Sequence, residues 1–126
     1  MLVGTGTDLI EIERIRKSIE RYGARFTERI FTAGEIAYCE RKKNAAESYA
    51  GRFAAKEAAA KALGTGIARG VTWKEIEVVR KPGERPTIHL TGRAAVRAAM
   101  LGAIAAAVSI THSRELALAT VLLESA

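Results

Sequence analysis

The chain has 126 residues, 48% of them hydrophobic and 27% charged, with a formal net charge of +6. That is the balance of one soluble globular domain spanning residues 1–126, and it leaves little room for a second core. A basic surface favours acidic partners, but aromatics make up only 6%, too few for an extended platform that stacks nucleobases.

Leu2 to Ile10 reads as a strand interrupted by Gly4 and Gly6, a sign that another backbone or a ligand comes close. Ile12, Ile15 and Ile19 then recur at helical spacing among Arg14, Arg16, Lys17 and Arg21, and Gly23 can stop that helix. Arg25 to Ile30 is a short connecting segment, with Phe26 and Phe31 as candidate core anchors. Thr32 followed by Glu35 forms a capping box that opens a helix from about Ala33 to Arg41. Ala45 to Leu63 is the longest helix, rich in strong helix formers, with Gly64 as its C-terminal cap.

The segments Glu75–Arg80 and Pro86–Leu90 read as two strands joined by Lys81-Pro82-Gly83-Glu84-Arg85. Thr91 can cap a helix running to about Leu101. Ala105–Thr111 and Leu116–Leu123 form a last pair of strands around His112-Ser113-Arg114-Glu115. One strand, several helices, two strands, a helix and two strands give an α+β fold, a small antiparallel sheet packed with helices. A core built mostly of Ala, Leu, Ile and Val points to an oligomer.

The single Cys39 builds no disulfide framework and suits a reducing compartment. The N-terminus meets Asp8 and Glu11 too soon for a signal peptide. The longest apolar run, Met100 to Ile110, is too short to cross a bilayer. These features lead us to expect a cytoplasmic protein with no membrane partner.

Four groups of residues could carry chemistry. Asp8, at the end of a glycine-rich strand, can hold a metal or cap the next helix. Glu57 and Lys61 lie four apart on one face of the long helix, with Phe53 a turn earlier. This is either a surface ion pair or part of a site among Ala54, Ala55, Ala58, Ala59 and Ala60. Arg52, Lys56 and Lys61 read as a basic helix surface. Beyond it, backbone N–H groups of Gly64-Thr65-Gly66 could bind phosphate. His112, beside Thr111, could bind phosphate or relay a proton, or be merely solvated. No zinc spacing, P-loop or nucleophile elbow is present.

Three motifs in order carry a resemblance: Gly6-Thr7-Asp8-Leu9-Ile10-Glu11-Ile12-Glu13-Arg14, the run from Arg52 to Gly66, and Ser109-Ile110-Thr111-His112. Together they resemble the holo-acyl-carrier-protein synthase family of phosphopantetheinyl transferases, in its short trimeric form, over nearly the whole chain. The resemblance implies a phosphopantetheinyl transferase-like fold and transfer of 4'-phosphopantetheine from coenzyme A to a serine of an acyl carrier protein. It implies Mg²⁺ held by Asp8 and Glu57, with Lys61 at the phosphates or assisting proton transfer. Arg52, Lys56, Gly64, Thr65, Gly66 and His112 would lie near coenzyme A, and Arg14 and Arg21 would face the acidic carrier protein. It further implies a homotrimer with sites between subunits and a role in fatty acid biosynthesis. A basic binding module without catalysis explains the charge but not the paired carboxylates. A magnesium-dependent nuclease explains the carboxylates but lacks a larger acidic cluster.

Overall fold

The computed structural model describes all residues, 1–126. Strand β1 (Leu2–Glu11) leads directly into helix α1 (Ile12–Tyr22). Its Ile12 and Ile15 are buried, as their spacing predicts, and Gly23 ends it with φ +56°. The segment read as a connection is a second helix, α2 (Ala24–Ile30). It is too short for an apolar repeat to show, and contacts of Thr27 and Ile30 with the core hold it instead. Helix α3 (Ala33–Glu40) opens with the expected capping box: Thr32 and Glu35 each accept from the other's backbone N–H. Helix α4 (Ala45–Ala62) is the longest element.

A 3-10 turn (Trp73–Glu75) precedes β2 (Ile76–Val79), which pairs with β3 (Thr87–Leu90). Helix α5 (Gly92–Met100) follows. Thr91 does not cap it with its side chain; Glu75 does so from a distance, accepting the Arg93 N–H at 2.7 Å. Strands β4 (Ala103–His112) and β5 (Leu116–Ser125) form the last hairpin, so His112 closes a strand and does not sit in the turn. All pairing is antiparallel, but in two sheets: β1-β5-β4 and the separate pair β2-β3.

Helix α4 is the axis of the core. Ala50, Ala54, Ala55, Ala58, Ala59 and Ala60 are wholly or almost wholly buried. Small side chains let the sheet approach its backbone. The tightest approach is to β1, where Cβ atoms built on Gly4 and Gly6 would overlap the carbonyl oxygens of Ala62 and Ala58. The glycines anticipated as a close-approach signal are therefore required by this contact. Even-numbered residues of β1 face α4, and Thr5, Thr7 and Leu9 lie on the exposed face.

We expect Gly6→Ala to destabilise the protein by about 3 kcal/mol, the upper range for overpacking, because its neighbour is backbone and cannot turn aside. Glu84→Ala, in the exposed turn between β2 and β3, should stay within about 0.5 kcal/mol of the parent. Urea unfolding of both variants compares the buried contact with the exposed turn.

Candidate functional site

The close approach of β1 to α4 assembles the first cluster. Two residues beyond Gly6 on the same face stands Asp8, brought beside the exposed edge of α4. Lys61 Nζ donates to Asp8 Oδ1 at 3.0 Å and to the Thr7 carbonyl at 3.1 Å. Asp8 is 17% exposed and Lys61 is 51% exposed. Lys61 thus pairs with Asp8, fifty-three residues away, and not with Glu57 on its own helix face. Glu57 completes the group: burial raises its carboxyl pKa, the Asp8 charge raises it further, and Lys61 opposes both. Two carboxylates and one lysine, distant in sequence, therefore share one partly enclosed spot.

These are hard oxygen donors, the class that takes Mg²⁺ through one or two carboxylates with substrate phosphate and water. No group of three or more His, Cys, Asp or Glu suitable for a metal exists, so protein side chains alone make no closed cage. The residues fit an ion completed by a ligand's oxygens. Lys61, on a flexible and half-exposed stem, can turn from Asp8 toward such a ligand.

A second site lies across α4. Arg52 and Ser48 stand about 140° and 180° around the helix from Glu57. They line a cavity of about 290 Å³ with Tyr38, Lys42, Arg80 and His112. One carboxylate, Glu47, faces these four basic residues, with Oε1 3.3 Å from His112 Nε2. The Arg52 guanidinium lies 3.8 Å from the centre of the Tyr38 ring. Burial acts to raise the Tyr38 phenol's pKa, yet Arg52 and Lys42 outweigh it and the net shift is downward. Arg52 is only 6% exposed, and its buried Nε has no hydrogen-bond partner. A buried charged group left partly unpaired at a basic cavity is the pattern expected of an anion-binding site. Lys42, Tyr38 and Arg80 were not singled out from sequence.

Two expectations need correction. Lys56 does not lie on a basic surface or face a ligand. It is fully buried in an ion pair with Glu35 at 2.7 Å, because the helix turns position 56 inward when Glu57 faces out. The Gly64-Thr65-Gly66 amides are not free for phosphate either. Gly64 N–H donates to the Lys61 carbonyl, and those of Thr65 and Gly66 donate to the Ala60 carbonyl. Gly64, at φ +78°, ends α4 in the left-handed conformation, and the loop's donors satisfy the helix's last carbonyls. What the loop leaves unpaired is the buried Thr65 hydroxyl. Arg97 Nε secures the same helix end by donating to the Leu63 carbonyl at 2.8 Å.

A third feature escaped the sequence reading. A groove of about 580 Å³ runs between Tyr22, Arg25, Phe26, Arg29, Phe53 and Trp73. Arg25, Phe26 and Arg29 come from α2, the helix that the sequence pattern concealed. Phe53 lies one turn before Glu57 on the same face of α4.

Comparison with known proteins bears on these sites together. The family model described as the 4'-phosphopantetheinyl transferase superfamily matches residues 4–121. The holo-[acyl-carrier-protein] synthase of Koribacter versatilis is 52% identical, covering 98% of this chain and 99% of that protein. That of Solibacter usitatus is 54% identical, covering 99% and 100% respectively. Among solved structures, the Helicobacter pylori holo-[acyl-carrier-protein] synthase in complex with coenzyme A matches with a TM-score of 0.83 and 32% identity, over 95% of this chain and 99% of that one. The Neisseria meningitidis synthase matches with a TM-score of 0.89 and 30% identity, over 99% and 100%.

The electrostatics of Glu57 give a prediction for the protein without metal or ligand. Its folded-state pKa is raised, so the folded chain holds that proton more tightly than the unfolded chain does. The resulting loss of stability is absent below the unfolded carboxyl pKa and complete above the folded one. Glu57→Gln should therefore melt higher than the parent at pH 7 in chelator. That advantage should shrink as the pH falls through the raised folded-state pKa and be gone below the ordinary glutamate pKa. Thermal melts across this range, compared between the two proteins, check the sign.

Proposed function

The chain belongs to the 4'-phosphopantetheinyl transferase superfamily, and on that premise we propose that it is a holo-[acyl-carrier-protein] synthase. It transfers 4'-phosphopantetheine from coenzyme A to a serine of apo acyl carrier protein and releases adenosine 3',5'-bisphosphate. The observation that carries this reading is the cluster of Asp8, Glu57 and Lys61, formed where β1 meets α4. Its chemistry suits a diphosphate. Relatives along the full length bear the same enzyme's name, and one solved relative holds coenzyme A.

Asp8 and Glu57 would hold Mg²⁺, which would supply positive charge against the phosphates and the charge that develops on transfer. The serine oxygen forms a bond to the phosphorus that bears the pantetheine arm. The bond from that phosphorus to the bridging oxygen of the diphosphate breaks, the nucleotide leaves with that bond's electron pair, and the serine proton passes to water. Lys61 supplies the positive side chain that offsets this charge. Glu57 would act in catalysis through the ion it helps to hold.

The basic cavity of Arg52 and His112 suits the remaining phosphate of coenzyme A, with Lys42 and Arg80 as added contacts. The Thr65 hydroxyl is the part of the 64–66 loop that suits a ligand. Both sites cannot serve one molecule from opposite sides of α4 unless two copies meet. This supports a homotrimer with sites between subunits. So does the open face of the β1-β5-β4 sheet, where Leu9 is 58% exposed and Leu118 and Leu122 are half-buried.

Arg14 and Arg21 on α1, joined by Arg25 and Arg29 at the aromatic groove, suit an acidic carrier protein. No helix is long and apolar enough to cross a membrane, and the reading is of a cytoplasmic enzyme serving fatty acid biosynthesis.

Incubation with coenzyme A, Mg²⁺ and apo carrier protein should add one phosphopantetheine to the carrier by mass spectrometry. Asp8→Ala and Glu57→Ala should each lower kcat by about 100-fold or more with circular dichroism unchanged. Near-parental rates would remove that residue from the site. Arg14→Ala should raise the carrier KM several-fold, by roughly 1–2 kcal/mol of binding, and leave the coenzyme A KM alone. His112→Ala should do the reverse. Light scattering of the purified protein tests the trimer, and Leu118→Asp on the open face should release monomers.

A further inference from the structure

Lys56 immediately precedes Glu57 on α4, points about 100° away around the helix axis, and is buried in the core. Its ammonium is wholly enclosed and has three partners: the Glu35 carboxylate at 2.7 Å, the Trp73 carbonyl at 2.9 Å and the Ile76 carbonyl at 2.5 Å. All three of its donors are thereby used. Glu35 is just as fully committed. Its Oε1 also accepts the Thr32 N–H at 2.9 Å, and its Oε2 accepts the Val78 N–H at 2.8 Å. One ion pair thus ties the start of α3, the middle of α4 and the segment from the 3-10 turn into β2.

A buried pair of this kind is a poor source of stability. Well-packed apolar residues of similar volume generally do as well or better. What apolar residues cannot do is hold particular carbonyls at a fixed place. Here the carbonyl held is that of Trp73, whose ring packs on Phe53 with centroids 4.9 Å apart. These two rings form one wall of the basic aromatic groove. Phe53 shares the helix face of Glu57. The groove's wall and the carboxylate cluster therefore lie along one face of α4, and Lys56 ties the same two turns to the core.

We propose that Lys56 is a positioning residue: paired with Glu35, it pins the Trp73 backbone so that the Trp73–Phe53 wall stands at a fixed distance from Glu57. The wall then presents the incoming carrier protein to the carboxylate cluster. This last step rests on the reading of the groove as the carrier-docking surface. Lys56 itself touches neither substrate.

Trp73 is the sole tryptophan, so its fluorescence reports on the wall directly. The test uses the full chain with Lys56→Met/Glu35→Leu, which removes both charges and leaves neither buried unpaired. The expected result is a folded protein whose Trp73 emission moves to longer wavelength and whose acrylamide quenching rises about twofold, as the segment loosens. The carrier KM should rise about tenfold and the coenzyme A KM should change less than about twofold. Lys56→Met/Glu35→Gln, which also removes both charges but keeps an acceptor for the Thr32 N–H, is measured in the same way and decides the matter if the first variant does not fold. A folded variant with parental emission and quenching overturns the proposal. A shifted Trp73 signal with parental carrier KM sustains Lys56 as a positioning residue and removes the carrier from the groove. Loss of transfer in the parent protein itself would instead strike the proposed activity, and would leave the fluorescence result standing.

Discussion

Everything functional in this chain depends on how closely one strand can lie against one helix. Gly4 and Gly6 present no side chain to α4, and the carbonyls of Ala58 and Ala62 occupy the space where a Cβ would be. At this separation the next residue on the same face, Asp8, reaches Lys61 and acts on Glu57. A strand held further out would leave the same three side chains as unrelated surface charges. The alanines of α4 serve the same end, since larger residues there would push the sheet away.

Helix α4 distributes different chemistry around its circumference. One face carries Phe53, Glu57 and Lys61. Another carries Ser48 and Arg52 toward the basic cavity. A third turns Lys56 into the core. Three basic residues within ten positions therefore stand in three settings: a half-exposed partner of the acid cluster, a buried guanidinium at the basic cavity, and a structural tie. Charge alone does not distinguish them. Rotation about the helix axis does, at about 100° per residue.

The two halves of the proposed coenzyme A site make sense of the exposed apolar face of the three-stranded sheet. A monomer this small buries few large side chains. Its wholly buried ones include Tyr49, Phe31 and Leu63. Association would cover the remaining leucines and bring complementary halves of a site together in one step, so that assembly and substrate binding draw on the same surfaces.

The sequence by itself determined the strands, four of the five helices, the capping box at Thr32 and the close approach at Gly4 and Gly6. These are local: hydrophobic period, cap chemistry and missing side chains act within a few residues. It also marked Asp8, Glu57 and Lys61 as candidates, through motif resemblance. Tertiary structure decided the rest. Helix α2 is too short to show a period and forms only against the core. Lys56 reads as one more surface cation until Glu35 is found opposite it. The Gly64-Thr65-Gly66 amides look available until the helix end is seen to use them. The cavity around Arg52 gathers residues from four separate stretches of chain, and the groove from three. Which charged groups are enclosed, and by what, depends on contacts between residues far apart in the chain, and those exist only once the backbone has closed on itself.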